Sequence, residues 1–174
     1  MKKIAVALVT IMAFVAQPSI AIASADNYQV LAAQVSYGIY KPSNTLGLKP
    51  LNFEVRPCRL YPKREKYLLA GYGGMDHGIA LVETSAQYNC TGADNPQSLG
   101  TTKINGITAQ VGIYCGAKKC AKSDFMTHGG EITFLTPKIK NRASTYIRVG
   151  TQGGFTLNQL IAFASGLKVT STNK

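Results

Sequence analysis

Apolar and polar positions alternate in short blocks over most of this chain, and glycine, proline and asparagine separate the blocks. Period-two blocks bounded by turn residues predict β-strands. Tyr67–Tyr72, Ile79–Tyr88, Thr108–Tyr114, Glu131–Leu135 and Ser144–Val149 fit that pattern. Upstream, residues 28–40 form an apolar run whose second half alternates through Val35, Tyr37 and Ile39, a further strand signal. Pro42, Ser43, Asn44, Gly47 and Pro50 mark residues 41–52 as loop, and residues 91–100 read as a second loop. Lys103-Ile104-Asn105-Gly106-Ile107 places Asn-Gly between apolar flanks, which predicts a two-residue hairpin turn.

Near the end the period changes. Thr156-Leu157-Asn158-Gln159 has the form of a capping box, with a threonine hydroxyl for the third amide and a glutamine reaching back. Leu157, Leu160, Ile161 and Ala164 then share one helical face. Gly166 is expected to take the left-handed position after the helix, with Leu167 as its apolar contact. One amphipathic helix after a run of strands predicts an α+β fold, an antiparallel sheet packed against a single C-terminal helix.

The first residues carry a different signal. Lys2-Lys3, an apolar core from Ile4 to Ala16, and Ala23-Ser24-Ala25 before Asp26 have the layout of a secretory leader. That core is short of the roughly 20 apolar residues a permanent membrane helix needs. The expectation is a leader over residues 1–25 and a single exported domain over 26–174, periplasmic or secreted and not an integral membrane protein. No cysteine follows the small residues, so a lipid-anchored form is not expected.

Charge narrows the partners. The sequence has 19 lysines and arginines against 8 acidic residues, and losing Lys2 and Lys3 leaves 17 against 8, a formal net charge of +9. Such a surplus favours polyanions: an anionic polymer, a lipid surface, an acidic protein or nucleic acid. Seventeen glycines and nine tyrosines with no tryptophan suit a turn-rich β protein. The densest basic group is Arg56, Arg59, Lys63, Arg64 and Lys66, interleaved with Tyr61 and Tyr67. Cations between aromatic faces suit phosphate backbones, bases or anionic glycans. Lys118, Lys119 and Lys122 form a second group, and Lys138, Lys140, Arg142 and Arg148 a third.

Cys58, Cys90, Cys115 and Cys120 make an even count, which in an exported chain reads as two disulfides. Three connectivities are possible. The favoured one joins Cys58 to Cys90, and Cys115 to Cys120 around a small basic loop, Gly116–Lys119. No Cys-x-x-Cys is present and the chain has two histidines, so neither a zinc site, a redox pair nor any cofactor is expected.

For catalysis the available groups are His77, His128, Glu131, Glu83 and Asp76. A small basic secreted protein with two histidines fits a ribonuclease-like phosphodiester hydrolase, in which His77 works with His128 or Glu131 and Arg142 or Arg148 holds the phosphate. The groups must converge for that chemistry, and both histidines stand in glycine-flanked turns. No Gly-x-Ser-x-Gly elbow occurs, and Gly71-Tyr72-Gly73-Gly74 lacks the lysine of a phosphate-binding loop. The leading expectation is an exported, non-enzymatic binding module for an anionic envelope component or an acidic partner protein. The hydrolase is the first alternative. The second is an inhibitor of a secreted enzyme that presents the Cys115–Cys120 loop.

The step Lys103-Ile104-Asn105-Gly106-Ile107, the passage Thr145–Val149 and the passage Gly153–Leu167 also carry a family likeness. Together they make residues 67–167 resemble a small bacterial extracytoplasmic domain of unknown function, found in exported proteins, lipoproteins and the outer parts of anti-sigma factors. The resemblance implies an antiparallel sheet half-wrapped around a helix, and it brings no catalytic residues. The four cysteines and the absence of tryptophan depart from that family's pattern.

Overall fold

A computed structural model describes residues 27–59, 62–63, 65–74, 76–87, 90, 96–116 and 118–170. The expected leader lies outside them. The main sheet has seven antiparallel strands: β2 (Pro50–Pro57), β3 (Lys66–Gly73), β4 (Gly78–Ser85), β5 (Gln97–Ile104), β6 (Ile107–Ile113), β7 (Gly130–Leu135) and β8 (Thr145–Thr151). Their order across the sheet is β2-β3-β4-β8-β7-β6-β5. Two meanders, β2–β4 and β5–β8, therefore meet along one seam, where Ser85 pairs with Thr145 and Ala80 with Gly150. A two-stranded ribbon joins β1 (Tyr40–Pro42) to β9 (Leu167–Val169).

Alternation decides which side is buried. Leu68, Ala70 and Tyr72 of β3, Ile79 and Leu81 of β4, Ile147 and Val149 of β8, and Ile132 and Phe134 of β7 all face one side and are buried. Helix α1 (Asn27–Ala32) and helix α3 (Leu157–Ser165) cover that side. The Tyr72 ring meets Phe163 of α3 at 5.3 Å and Phe53 of β2 at 5.6 Å, and Phe53 meets Tyr28 of α1 at 4.9 Å, all edge-on. Among the described residues no helix lies on the opposite side, which we call the open face. On it lie Leu69, Val82, Arg148, Thr133 and Gln110, one row across five strands.

Several expectations are met and several are corrected. The Thr156 hydroxyl accepts from the Gln159 amide at 3.3 Å and Gln159 returns to the Thr156 amide at 2.8 Å, the predicted capping box. Asn105 and Gly106 have φ of 48° and 83°, as a mirror-image hairpin turn demands. Gly166, however, ends α3 with φ of −76°, a right-handed conformation, because the chain turns directly into β9. Helix α3 is also not the only helix, since α1 and a short α2 (Phe125–His128) accompany it. Part of the stretch read as loop is strand: β2 starts at Pro50, and β5 starts at Gln97.

The connections fall at two ends of the sheet. The β2–β3 turn, the chain after β4 and the β7–β8 connection lie at what we call the Cys58 end. The β3–β4 hairpin, the β6–β7 connection and the segment after β8 lie at the other, the His77 end.

Candidate functional site

The first and third basic groups come to the same end of the sheet. Arg56 closes β2, Arg59 and Lys63 occupy the turn, Lys66 opens β3, and Lys138 and Lys140 ride on the β7–β8 connection; all six are exposed. Three strand spacings separate β2 from β8, roughly 15 Å, so one extended anionic surface can touch both groups. A disulfide from Cys58 to Cys90, with Cα atoms 4.8 Å apart, ties the turn to the chain beyond β4. The Cys58 amide also donates to the Glu65 carbonyl at 2.9 Å. Tyr61 and Arg64 lie outside the described residues.

Arg142 does not join this surface. Its guanidinium donates to the carbonyls of Ala32, Val35 and Tyr37 at 2.9, 3.1 and 2.9 Å. Ala32 ends α1 and Val35 and Tyr37 lie in the irregular chain after it, and one guanidinium satisfies all three carbonyls. Arg142 is a structural residue rather than the phosphate ligand expected for a hydrolase.

Negative charge is placed differently from positive charge. Glu65, Glu83 and Glu131 are buried, at 7%, 0% and 6% exposure. Glu65 accepts from the Ser36 hydroxyl at 3.3 Å and the Lys66 amide at 3.1 Å. Glu83 lies among the core tyrosines, where burial holds its carboxyl well above the usual carboxylate range. Asp124 accepts from the Ala121 amide at 2.9 Å, and Glu54 pairs with Arg56. Every described lysine except Lys41 is exposed. The solvent-facing charge is thus more one-sided than the formal count.

The second basic group is at the opposite end. Lys118, Lys119 and Lys122 are exposed beside the Cys115–Cys120 disulfide, whose Cα atoms are 6.1 Å apart. The Gln97 side chain brackets Cys120, donating to its carbonyl and accepting from its amide, both at 3.0 Å. Ala117, in the middle of the loop, lies outside the described residues. The three basic groups therefore form two separate surfaces and not one face.

His77 and His128 share the His77 end without forming an acid–base pair. The His77 ring stacks on the buried Phe155 ring at 4.2 Å between centroids. His128 is exposed at the end of α2, and the Met126 carbonyl two residues earlier accepts from the Gly154 amide at 2.8 Å. Both histidines flank the segment 151–155. Among the described residues neither hydrogen-bonds to a carboxylate, so Glu131 is not part of a histidine relay.

Glu131 instead belongs to a cluster on the open face. Its Oε2 accepts from the Tyr114 hydroxyl at 2.6 Å and lies 3.2 Å from Nε of Arg148. Arg148 and Glu131 were separate catalytic candidates in the sequence, and the β7–β8 register brings them together. Tyr114 drew no notice there. Its signal is the alternation of β6, which puts Gln110, Gly112 and Tyr114 on the face opposite Val111 and Ile113.

No protein-family model, curated protein or solved structure matches this chain. Among the described residues no group of three His, Cys, Asp or Glu side chains is placed to hold a metal ion. No described helix is long and apolar enough to cross a membrane.

Proposed function

We propose that this protein is an exported, non-enzymatic binding module that docks on an anionic component of the cell envelope through the Cys58 end of its sheet. The observation that carries the reading is the segregation of charge. Arg59, Lys63, Lys66, Lys138 and Lys140 project into solvent at one end, while Glu65, the acid closest to them in the chain, is buried. The Cys58–Cys90 disulfide ties the chain beside Arg59 to the segment after β4, which limits the ordering lost on docking. An extended anionic surface, such as a layer of acidic lipid headgroups, fits a row of cations of this width better than a single anion does. Two disulfides and the resemblance of residues 67–167 to an extracytoplasmic domain support a place outside the cytosol.

The test is co-sedimentation with phosphatidylglycerol vesicles. Each basic residue at an anionic surface contributes about 1 kcal/mol, so reversing Lys63, Lys66, Lys138 and Lys140 to Glu should weaken binding by roughly 100-fold or more. Raising salt should release the wild type, because screening weakens exposed charges. Reversal of Lys118 and Lys119 at the other end should have a small effect. Equal losses from both sets would mean net charge rather than a site, and would sink the reading. A specific loss from the Lys118/Lys119 pair alone would favour the inhibitor-loop alternative.

A further inference from the structure

Leu135, the last residue of β7, stands at the basic end of the sheet and is 49% exposed. A lone surface leucine is ordinary, and this one is informative through its neighbours. It shares the open face with Thr133, because side chains alternate along a strand. The β7–β8 register sets Tyr146 directly opposite it, and Tyr146 pairs in turn with Thr84 of β4. Tyr67, near the start of β3, lies on the same face opposite Arg56 of β2. The Arg56 guanidinium donates to the Tyr67 hydroxyl and pairs with Glu54, so it adds little free charge there. The row of the open face nearest the Cys58 end thus carries an exposed leucine and two half-buried tyrosines.

The chain that leaves Leu135 is firmly held. Thr136 is buried; its amide donates to the Thr145 carbonyl at 2.9 Å, and its hydroxyl accepts from the Thr145 amide at 3.1 Å. Beyond it exposure alternates. Lys138 and Lys140 are exposed, while Ile139 between them turns inward, its Cδ1 lying 2.9 Å from where a Cβ on Gly38 would stand. The connection therefore tucks one apolar side chain away and leaves Leu135 in solvent, with two cations close behind it.

Each kind of side chain in this corner has its own depth at a bilayer. Lysines stay with the anionic headgroups. Tyrosine rings favour the headgroup level, where one end is apolar and the other wet. A leucine gains by leaving water for hydrocarbon. An anionic polymer would engage the lysines and leave Leu135 in water, whereas a bilayer offers charge and hydrocarbon one beneath the other.

We infer that Leu135 is a membrane wedge: it enters the acyl boundary of an anionic bilayer, with Tyr67 and Tyr146 at the headgroup level and Lys138 and Lys140 on the phosphates. The inference rests on the envelope-docking reading and names its partner, a lipid bilayer, and the corner of the sheet that faces it.

The chain contains no tryptophan, so Leu135→Trp supplies a single reporter. The purified, oxidised variant is mixed with phosphatidylglycerol vesicles whose acyl chains carry bromine near the headgroup, and sedimentation and emission are read together. The expected result is a blue-shifted emission that the bromines quench. Leu51→Trp, at the His77 end of β2 and 55% exposed in the wild type, should sediment with unchanged emission. Leu135→Ser should weaken sedimentation by about tenfold at constant charge, the loss expected when a half-exposed leucine no longer enters hydrocarbon. The emission test decides the matter if the serine variant folds poorly. Sedimentation of Leu135→Trp without quenching overturns the inference and leaves the docking reading standing. So do equal quenching of the two tryptophan variants and wild-type sedimentation of Leu135→Ser. If the wild type itself does not sediment, the docking reading falls and this inference falls with it.

Discussion

Glu83 stands at the centre of the covered face, where its Oε2 accepts from the Tyr40 amide at 2.9 Å and its Oε1 has no partner among the described residues. The titratable groups that face it are the hydroxyls of Tyr28, Tyr37, Tyr40 and Tyr72, whose own ionisation it opposes; burial is the largest cause of the rise in each. Tyr37 spans the region, donating to the Glu83 carbonyl at 2.7 Å and accepting from the Leu68 amide at 3.0 Å. A carboxyl whose folded-state pKa is raised releases its proton more easily when the chain unfolds. Stability is then greatest below the ordinary carboxyl value of 4.5 and falls as pH climbs from there toward the folded-state pKa. Glu83→Gln keeps the shape and removes the titration. Urea unfolding of the variant should show a flatter pH dependence between acid and neutral pH, and higher stability at neutral pH, than the wild type. Parallel curves for the two proteins would show that the carboxyl is solvated.

At the level of elements, Arg142 is the link between the β7–β8 connection and the N-terminal segment. Its three carbonyl partners, Ala32, Val35 and Tyr37, belong to a stretch that has little other regular hydrogen bonding. Arg142→Met retains the aliphatic stem and should cost about 2–4 kcal/mol in chemical denaturation, given the strength of charged hydrogen bonds and the carbonyls left without a donor. A loss within a few tenths of a kcal/mol would place those carbonyls in water. The sequence showed Arg142 only as one of a run of cations, and nothing local distinguishes it from Lys138 or Lys140. What separates them is a contact across more than a hundred residues.

The same reason divides the legible elements from the missed ones. β3, β4, β6, β7 and β8 each have one buried and one open side, so alternation marks them. β2 alternates too, through Asn52-Phe53-Glu54-Val55-Arg56, but Pro50 and Pro57 bracket it and read as loop. It is an edge strand, where proline is tolerated because one side needs no amide donors. α1 is six residues long and has no acidic first turn to announce it; the Tyr28 contacts with Phe53 and Tyr72 hold it in place. The basic end was legible as composition and not as a place. Its assembly depends on β8 entering the sheet beside β4, which no residue pattern specifies.

For the molecule as a whole, the Cys58–Cys90 disulfide closes 32 residues that contain β3, β4 and most of the cations of the first basic group. Replacing both cysteines with alanine should lower stability by about 4 kcal/mol through the freed loop alone. It should also weaken vesicle binding at low salt even where the fold persists, because the cations lose their fixed base. The Cys115–Cys120 bridge spans five residues and should cost less. Calorimetry of the two double variants, side by side, checks the order.

The seam between the two meanders has a consequence for how the chain reaches its final shape. β8, which joins them, and α3, which covers the apolar side, come at the end of the sequence. A chain delivered in order from its N-terminus holds β2, β3 and β4 with α1 as their only cover, and without the strand that borders β4, until residues 145–165 arrive. Until then the part of the apolar side that α3 covers, around Phe163 and Leu160, has nothing to rest against. Placing the fastening last means that the seven-stranded sheet closes only once the final strands and helix are present.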